Sequence, residues 1–453
     1  MDYRRSIAHL NSFINFERLP EPRFNTQQRD IDRFRVLLQN LGTPQSAFST
    51  IHIAGTKGKG STAAILASIL CAAGYRVGVY TSPHLITVRE RMRIDGRIIS
   101  KREFASVMSR IAGINRASNG NDLTGFRTVF EHLTAAALLW FASRQVDVAI
   151  LEAGLGGRLD ATVVVDPVVS VLTPIGLDHT AILGDTIAEI AADKAHIIKF
   201  GIPAISACQS PEALNELQKR AHLVGADLHL ATGRKEFKLK SCSFTGQEFL
   251  SGREGLNDCM LKLNLPGRFQ LDNVSTALTV VDVLRKRGFN ISIDAVSAGL
   301  RTVRWLGRMQ YVKGKPPVIL DGSHNIMAVE ALLESLIPLI RDFRLRVVFS
   351  ALRSKPIEGM LGRLSRHACG FHLAPICFPK SANGMELASL ADSLGLDYKL
   401  HYDLPSAFES ACSEAGSDEV ILATGSLYLV GEILRARRGL NPPPRDGGID
   451  DSI

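Results

Sequence analysis

The stretch Gly55-Thr56-Lys57-Gly58-Lys59-Gly60-Ser61 follows the apolar run Ile51-His52-Ile53-Ala54 without a break. A strand that feeds a glycine-rich turn into a helix is an anion-binding arrangement. Glycine conformations turn backbone N–H groups inward, the helix N-terminus favours negative charge, and Lys59 adds a point charge. The match to the phosphate-loop pattern is incomplete, because Ile53 stands where the first glycine belongs and Gly60 separates Lys59 from Ser61. Glu152, at the end of an apolar run and before Ala153-Gly154-Leu155-Gly156-Gly157-Arg158, and His179, in Gly176-Leu177-Asp178-His179, each follow a strand pattern. Titratable groups at the carboxyl ends of parallel strands face the crevice where open α/β sheets take ligands. Glu152 there suits a Mg²⁺ ion bridging nucleotide phosphates, or a plain surface carboxylate. His179 suits a metal ligand, or a helix-capping or core histidine. Lys194, in a helical pattern over 186–199, by itself reads as a solvated helix face.

These side chains need a sheet to bring them together, and the hydrophobic pattern supplies one. Short β-branched runs at 50–54, 76–80, 146–151 and 168–172 alternate with helical spacing at 61–73 and 130–143, which predicts a parallel sheet covered by helices. Residues 228–266 read as short mixed strands with turns, a small β excursion, before a helix over 270–287. A second alternating series, with strands at 318–320, 346–349, 371–374 and 420–423, predicts a doubly wound second domain. The fold class is therefore α/β: a phosphate-loop N-terminal domain over 1–302, with a mainly parallel sheet, and a smaller Rossmann-like domain over 303–440. The proline- and glycine-rich tail 441–453 lacks apolar periodicity and is expected to be disordered.

Bulk composition agrees with two or three globular domains. The chain has 453 residues, 45% hydrophobic and 22% charged. A net charge of +8 raises the question of a polyanionic partner. The basic residues are spread along the whole chain and only 6% of residues are aromatic, so the excess reads as a surface for an anionic small substrate plus ATP, with no nucleic acid. Seven cysteines without a C-x-x-C pair argue against a disulfide framework or a zinc site. No apolar run reaches the roughly 18 residues of a membrane span, so no membrane partner is expected and the cytoplasm is the expected compartment.

Seven segments, in order, carry a resemblance: IHIAGTKGKGST at 51–62, YTSPHLITVRERMRIDGRIIS at 80–100, TVFEHLTAAA at 128–137, LEAGLGGRLDAT at 151–162, LTPIGLDHTAILGDTIAEIAADKAHIIK at 172–199, ILDGSHN at 319–325 and ATGSLYLVGEIL at 423–434. Together they resemble the folylpolyglutamate synthase and dihydrofolate synthase group of the Mur ligase superfamily, over most of the chain. The resemblance implies an ATP-dependent carboxylate–amine ligase that adds L-glutamate to dihydropteroate, to reduced folates or to both, through an acyl phosphate. It implies ATP contacts at Gly55, Thr56, Gly58, Lys59, Gly60 and Ser61, with Asn273 on the adenine side and Arg308, Asp321 and His324 closing from the second domain. It implies Mg²⁺ at Ser82, Glu152 and His179, two ions in all, and admits a monovalent cation. Lys194 matches the family lysine that becomes carbamylated, which inverts its reading as a surface residue, and Lys59, Lys194 and His179 form the implied catalytic set. Thr128, Val129, Phe130 and Glu131, with Leu159, Asp160 and Ala161, match segments lining the pterin site. A monomer is implied.

The departures bear on substrate choice more than on chemistry. Lys57 replaces the usual loop Asn, Val88 a common aromatic, Val163 the Asn after Asp-Ala-Thr, Phe269 a frequent His, and His196 a Gly. Arg353-Ser354-Lys355-Pro356 stands for an acidic Asp-Lys-Asp stretch. None removes an implied metal or phosphate ligand. A folate-only enzyme and a nucleotide-binding relative without ligase activity remain open readings.

Overall fold

The computed structural model describes residues 1–18, 31–117, 128–256, 259–443 and 449–450. Ser49–Ala54 (β1), Val77–Tyr80 (β2), Met92–Ile94 (β3), Arg97–Ile98 (β4), Val148–Glu152 (β5), Val169–Leu172 (β6), Ala204–Ser206 (β7) and Leu228–Leu230 (β8) form one sheet in the order β4-β3-β2-β5-β1-β6-β7-β8. From β2 to β8 the pairing is parallel, and the β3–β4 hairpin closes one edge antiparallel. The runs are nearly continuous in apolar residues because both faces are covered. Ile51, Ile53, Val148 and Ile150 face one helical layer, and the alternate residues Ala149 and Leu151 face the other. Helices Lys59–Ala72, Phe269–Lys286 and Ile293–Thr302 build the first layer. Ile31–Asn40, Lys101–Ala117 and Val129–Ser143 build the second.

Residues 228–266 do not form one excursion. Leu228–Leu230 joins the large sheet as its edge, while Phe237–Ser243 (β9), Gly246–Ser251 (β10) and Met260–Leu263 (β11) pair antiparallel in a separate sheet. Phe249, Leu261 and Leu263 bury that sheet's inner face in the same core as helix Phe269–Lys286, which is why it docks rather than projecting; residues 257–258 lie outside the described residues. The helix expected over 186–199 also divides. It is α-helical over Ile187–Lys194 and continues as a 3₁₀ turn over Ala195–Ile197, where the His196 Nδ1 lies 2.9 Å from the Ala192 carbonyl and 3.2 Å from that of Asp193.

Gln310–Val312 (β12), Val318–Leu320 (β13), Arg344–Phe349 (β14), Ala368–Leu373 (β15), Tyr398–Leu400 (β16) and Glu419–Thr424 (β17) form the second sheet, ordered β12-β13-β17-β14-β15-β16 and parallel except at β12. Apolar clusters on both faces make it doubly wound. Part of the tail expected to lack structure is docked. Ile449 is buried and exchanges backbone hydrogen bonds of 3.0 Å in both directions with the Asn11 side chain, and Asp450 pairs with Arg435. Residues 444–448 and 451–453 of that tail lie outside the described residues.

The helix that opens at Lys59 is held at a close helix–helix approach. Gly299 packs on the backbone of Ile69, where a Cβ would stand 2.5 Å from its Cα and 2.6 Å from its N, and the Ser68 hydroxyl donates to the Gly299 carbonyl at 2.7 Å. Gly299→Ala is expected to force the helices apart and lower stability by about 1–3 kcal/mol, read as a shift of the urea midpoint; an unchanged midpoint would contradict this packing.

Candidate active site

Strand register brings the loop and the carboxylate together. β1 pairs with β5 so that Ile53 is opposite Glu152, and the glycine loop starts just beyond Ala54. Gly55 and Gly58 take φ of +147° and +79°, and side chains there would run into the Thr173 hydroxyl and the Asn273 amide. The loop is also tied from below, since the N–H groups of Thr56 and Lys57 donate to the Pro174 carbonyl at 3.0 and 3.1 Å. The helix begins at Lys59, and the Lys59 ammonium donates to the Gly55 carbonyl at 3.2 Å while standing 3.8 Å from Glu152 Oε1. The other Glu152 oxygen accepts the Ser82 N–H at 3.3 Å. Glu152 is 4% exposed, and burial raises its carboxyl above the usual range against Lys59, the Ser82 N–H and Arg308.

Ser82 and Glu152 are thus brought together, whereas His179 turns towards a different neighbourhood. His179, at φ +53° before the short helix Thr180–Leu183, is half exposed, and its Nε2 lies 3.9 Å from Asp178 Oδ1. Desolvation, with Lys355, Lys194 and Lys59 around it, keeps the ring below its usual value in spite of Asp178. A neutral imidazole is the form that ligates a metal. Asp178 is the crossing point of the two halves. Lys355 donates to Oδ1 at 2.5 Å, and His324 Nε2 lies 3.6 Å from Oδ2. Burial works against its ionisation, yet the His324, His179 and Lys355 contacts hold it far below the usual carboxylate range.

Lys194 is not on a solvated face. It is 5% exposed, and desolvation followed by repulsion from Lys59 pushes its ammonium down to about 7, against the carboxylates of Asp193, Asp178 and Asp160. Asn273 sits against Gly58 and donates to Gln270 Oε1 at 2.8 Å, and Gln270 in turn reaches Ser61 Oγ at 3.4 Å. From the second sheet, Arg308 is placed by Asp321, whose carboxylate accepts the Met309 N–H at 2.7 Å and the Ser323 N–H and hydroxyl at 2.8 and 2.5 Å. Both Asp321 oxygens accept hydrogen bonds within the chain, one of them from Met309, next to Arg308.

Of the residues expected at a pterin site, Thr128 and Glu131 form a capping box that starts helix Val129–Ser143, with the Glu131 carboxylate accepting the N–H and hydroxyl of Thr128 at 2.9 Å. Val129 is buried in the core. Phe130 lies over Gly154, and Leu159 and Ala161 flank Asp160, whose carboxylate accepts the N–H groups of Gly154 and Leu155, each at 2.9 Å. The sequence reading missed Asp178, Lys355, Trp305 and Thr173. Asp178 had a signal in its neighbour His179, and Lys355 lay in a segment already noted as unusual. Trp305 packs at Gly60, where a Cβ would be 2.8 Å from its ring, and Thr173 braces Gly55; neither has a local signal.

Among the described residues no group of three or more His, Cys, Asp or Glu side chains is set to hold a metal ion. That fits Mg²⁺, which is bound through one or two carboxylates and completed by nucleotide phosphate oxygens. Glu152, whose Oε2 accepts the Ser82 N–H beside the phosphate loop, is one such carboxylate.

The Mur ligase middle-domain family model matches residues 53–281, and the Mur ligase glutamate ligase domain model matches residues 307–427. The chain belongs to the Mur ligase family. Dihydrofolate synthase/folylpolyglutamate synthase of Bacillus subtilis is 36% identical over 405 residues, 89% of this chain and 94% of that protein. The structure of Escherichia coli FolC in complex with DHPP and ADP has a TM-score of 0.79 at 32% identity, covering 97% of this chain and 99% of that one. A bifunctional folylpolyglutamate synthase/dihydrofolate synthase with Mn, AMPPNP and L-glutamate bound has a TM-score of 0.80 at 30% identity, covering 97% and 98%. This Mur ligase is an ATP-dependent enzyme of the carboxylate–amine ligase class. No helix among its described residues is long and apolar enough to cross a membrane.

The buried Lys194 has a consequence for stability with a definite sign. Its folded value is about 7 against an ordinary 10.5, so between those values the unfolded chain binds more protons and stability rises with pH; below pH 7 the contribution is constant. Lys194→Met removes it. In carbonate-free buffer the variant's stability relative to the parent is expected to be greatest near pH 6 and to fall by about 1 kcal/mol per unit above pH 7, measured by urea unfolding at stepped pH. A difference independent of pH would show that Lys194 is solvated.

Proposed function

We propose that this Mur ligase joins L-glutamate to dihydropteroate and to reduced folates. The observation that carries the reading is the Lys59–Glu152 pair at the foot of the glycine loop, faced from the second sheet by Arg308. The carboxylate oxygen of the pterin substrate attacks the γ-phosphorus of ATP, the bond to the β-phosphate oxygen breaks, and ADP leaves. The amino nitrogen of L-glutamate then attacks the acyl carbon. The C–N bond forms, inorganic phosphate departs with the C–O bonding pair, and the nitrogen loses a proton. Lys59 and Arg308 neutralise the charge that builds on the transferring phosphoryl, and closure of the two halves keeps water from the acyl phosphate. Gly55, Thr56, Gly58, Gly60 and Ser61 hold the phosphates and Asn273 the adenine side, with His324 and Asp321 supporting closure.

Ser82, Glu152 and His179 would hold Mg²⁺, whose charge helps to neutralise the phosphates. A second ion is proposed beside Lys194, where a carbamate would supply the anion that holds it. The lowered Lys194 supports carbamylation: the ammonium gives up one proton, the neutral amine adds to CO₂ with formation of a C–N bond, a second proton leaves the nitrogen, and an anion replaces a cation. Phe130, Leu159 and Asp160, with Thr128, Val129, Glu131 and Ala161 behind them, would line the pterin pocket. The same reading has the enzyme acting as a cytoplasmic monomer, with a monovalent cation admitted beside the phosphates.

Phosphate release should require glutamate together with dihydropteroate or tetrahydrofolate, offered in parallel so that one or both reactions are distinguished. Lys59→Ala should lower kcat by about a hundred- to a thousandfold; undiminished turnover would remove the phosphate-loop assignment. Protein equilibrated with ¹³C-bicarbonate should give a carbamate carbon resonance that vanishes in Lys194→Arg. A resonance that persists in the variant would place the carbamate elsewhere.

A further inference from the structure

The segment Leu159–Ala161 hangs on one carboxylate. Asp160 Oδ2 accepts the N–H groups of Gly154 and Leu155, and Oδ1 accepts the Thr162 N–H at 3.0 Å and the Thr162 hydroxyl at 2.5 Å. A carboxylate can only accept, so the single Thr162 hydroxyl proton points at Asp160. His52 Nε2 lies 2.7 Å from the same hydroxyl oxygen. With that proton already committed, His52 must be the donor, and its tautomer is fixed with the proton on Nε2. The other ring nitrogen, Nδ1, is buried and has no hydrogen-bond partner among the described residues. The ring is fully buried, and burial, helped by Lys199, pushes it down to about 3, so it stays neutral.

A buried imidazole with one bare nitrogen is a costly way to fill a strand position that an apolar side chain could occupy, since an unsatisfied buried polar atom costs free energy that packing alone would not. Its only side-chain polar contact among the described residues is the one to Thr162. His52 lies on β1, with Ile53 and Ala54 between it and the phosphate loop, and the turn at Gly154–Leu155 directly follows Glu152 and Ala153. The relay His52–Thr162–Asp160 therefore fastens the pterin-facing segment to the strand that carries the phosphate loop. Phe130 adds the other wall, because its ring packs over Gly154, whose N–H donates to the same carboxylate.

We propose that His52 is a positioning residue for the pterin end of the carboxylate substrate: its Nε2–H holds the Thr162 hydroxyl on Asp160 and so fixes the conformation of Leu159–Ala161. The inference rests on the proposed reading that this segment lines the pterin pocket. Steady-state kinetics with dihydropteroate and tetrahydrofolate test it through two variants. His52→Leu removes the donor and should raise KM for the pterin substrate tenfold or more while KM for ATP stays within twofold; His52→Gln, whose amide N–H can stand in for Nε2–H, should bring the pterin KM back to within threefold of the parent. An equal rise in KM for ATP, an unchanged pterin KM in His52→Leu, or no rescue by folded His52→Gln overturns the proposal. Asp160→Asn separates the two levels: if it leaves the pterin KM unchanged, the pocket reading itself falls, whereas a raised KM there with none in His52→Leu removes only the relay. Should His52→Leu fail to fold, Thr162→Val against Thr162→Ser reads the same split. Independently of turnover, ¹⁵N-imidazole spectra of the parent should show His52 protonated on Nε2, and a proton on Nδ1 would overturn the relay.

Discussion

Everything at this site depends on holding the Lys59 ammonium close to, but not in full contact with, the buried Glu152 carboxylate. At 3.8 Å, with Lys59 also anchored on the Gly55 carbonyl, the two charges partly compensate each other and leave capacity on both sides. The cation can still take phosphate oxygens, and the carboxylate can still take a divalent ion. A tight buried ion pair would have closed off both partners, while a wide separation would have left two desolvated charges uncompensated, at a cost of several kcal/mol per ion. The spacing follows from the Ile53–Glu152 register, since a slip of one residue would carry Glu152 to the opposite face of the sheet.

What the sequence makes legible is what has a local signal. Glycines with positive φ, a lysine opening a helix and a carboxylate closing an apolar strand are each defined within a few residues, and all three stand where the pattern put them. The large parallel sheet was legible for the same reason, through β-branched runs covered on both faces. Contacts made across the fold had no such signal. The Asp178–Lys355 bond joins residues 177 apart in sequence, and the brace of Gly55 on Thr173 needs β1 and β6 to be neighbours, which alternation alone does not specify. The pterin segments are intermediate. Their residues were identifiable by resemblance, yet only in the folded chain does Glu131 close a capping box and Asp160 gather four donors.

Lys194 shows how burial reverses a reading made from spacing. A lone lysine in a helical pattern reads as a solvated group, and its neighbour Asp193 is partly exposed, its carboxylate accepting the Gly157 N–H at 2.8 Å. Within Ile187–Lys194, however, Lys194 follows Ile190 and Ala191 by four and three residues, and all three share the buried face of the helix.

The excess positive charge of the chain takes on a specific meaning in this setting. Around the glycine loop lie Lys57, Lys59, Lys194, Lys355 and Arg308, against Glu152 and Asp178. Burial pushes Lys57 down to about 8 with only Asp178 and Glu330 opposing it, and its ammonium has no hydrogen-bond partner among the described residues. Such a cluster is destabilising by itself, because like charges at low dielectric repel strongly. A polyphosphate removes much of that repulsion on entering, so the unfavourable electrostatics of the empty cleft become differential affinity for the loaded one. Since Lys355 and Arg308 come from the half built on the second sheet while Lys57, Lys59 and Lys194 come from the half built on the first, an anion bound as proposed would relieve the repulsion and draw the two halves together. In the proposed reading, that would couple nucleotide binding to the exclusion of water which an acyl phosphate requires.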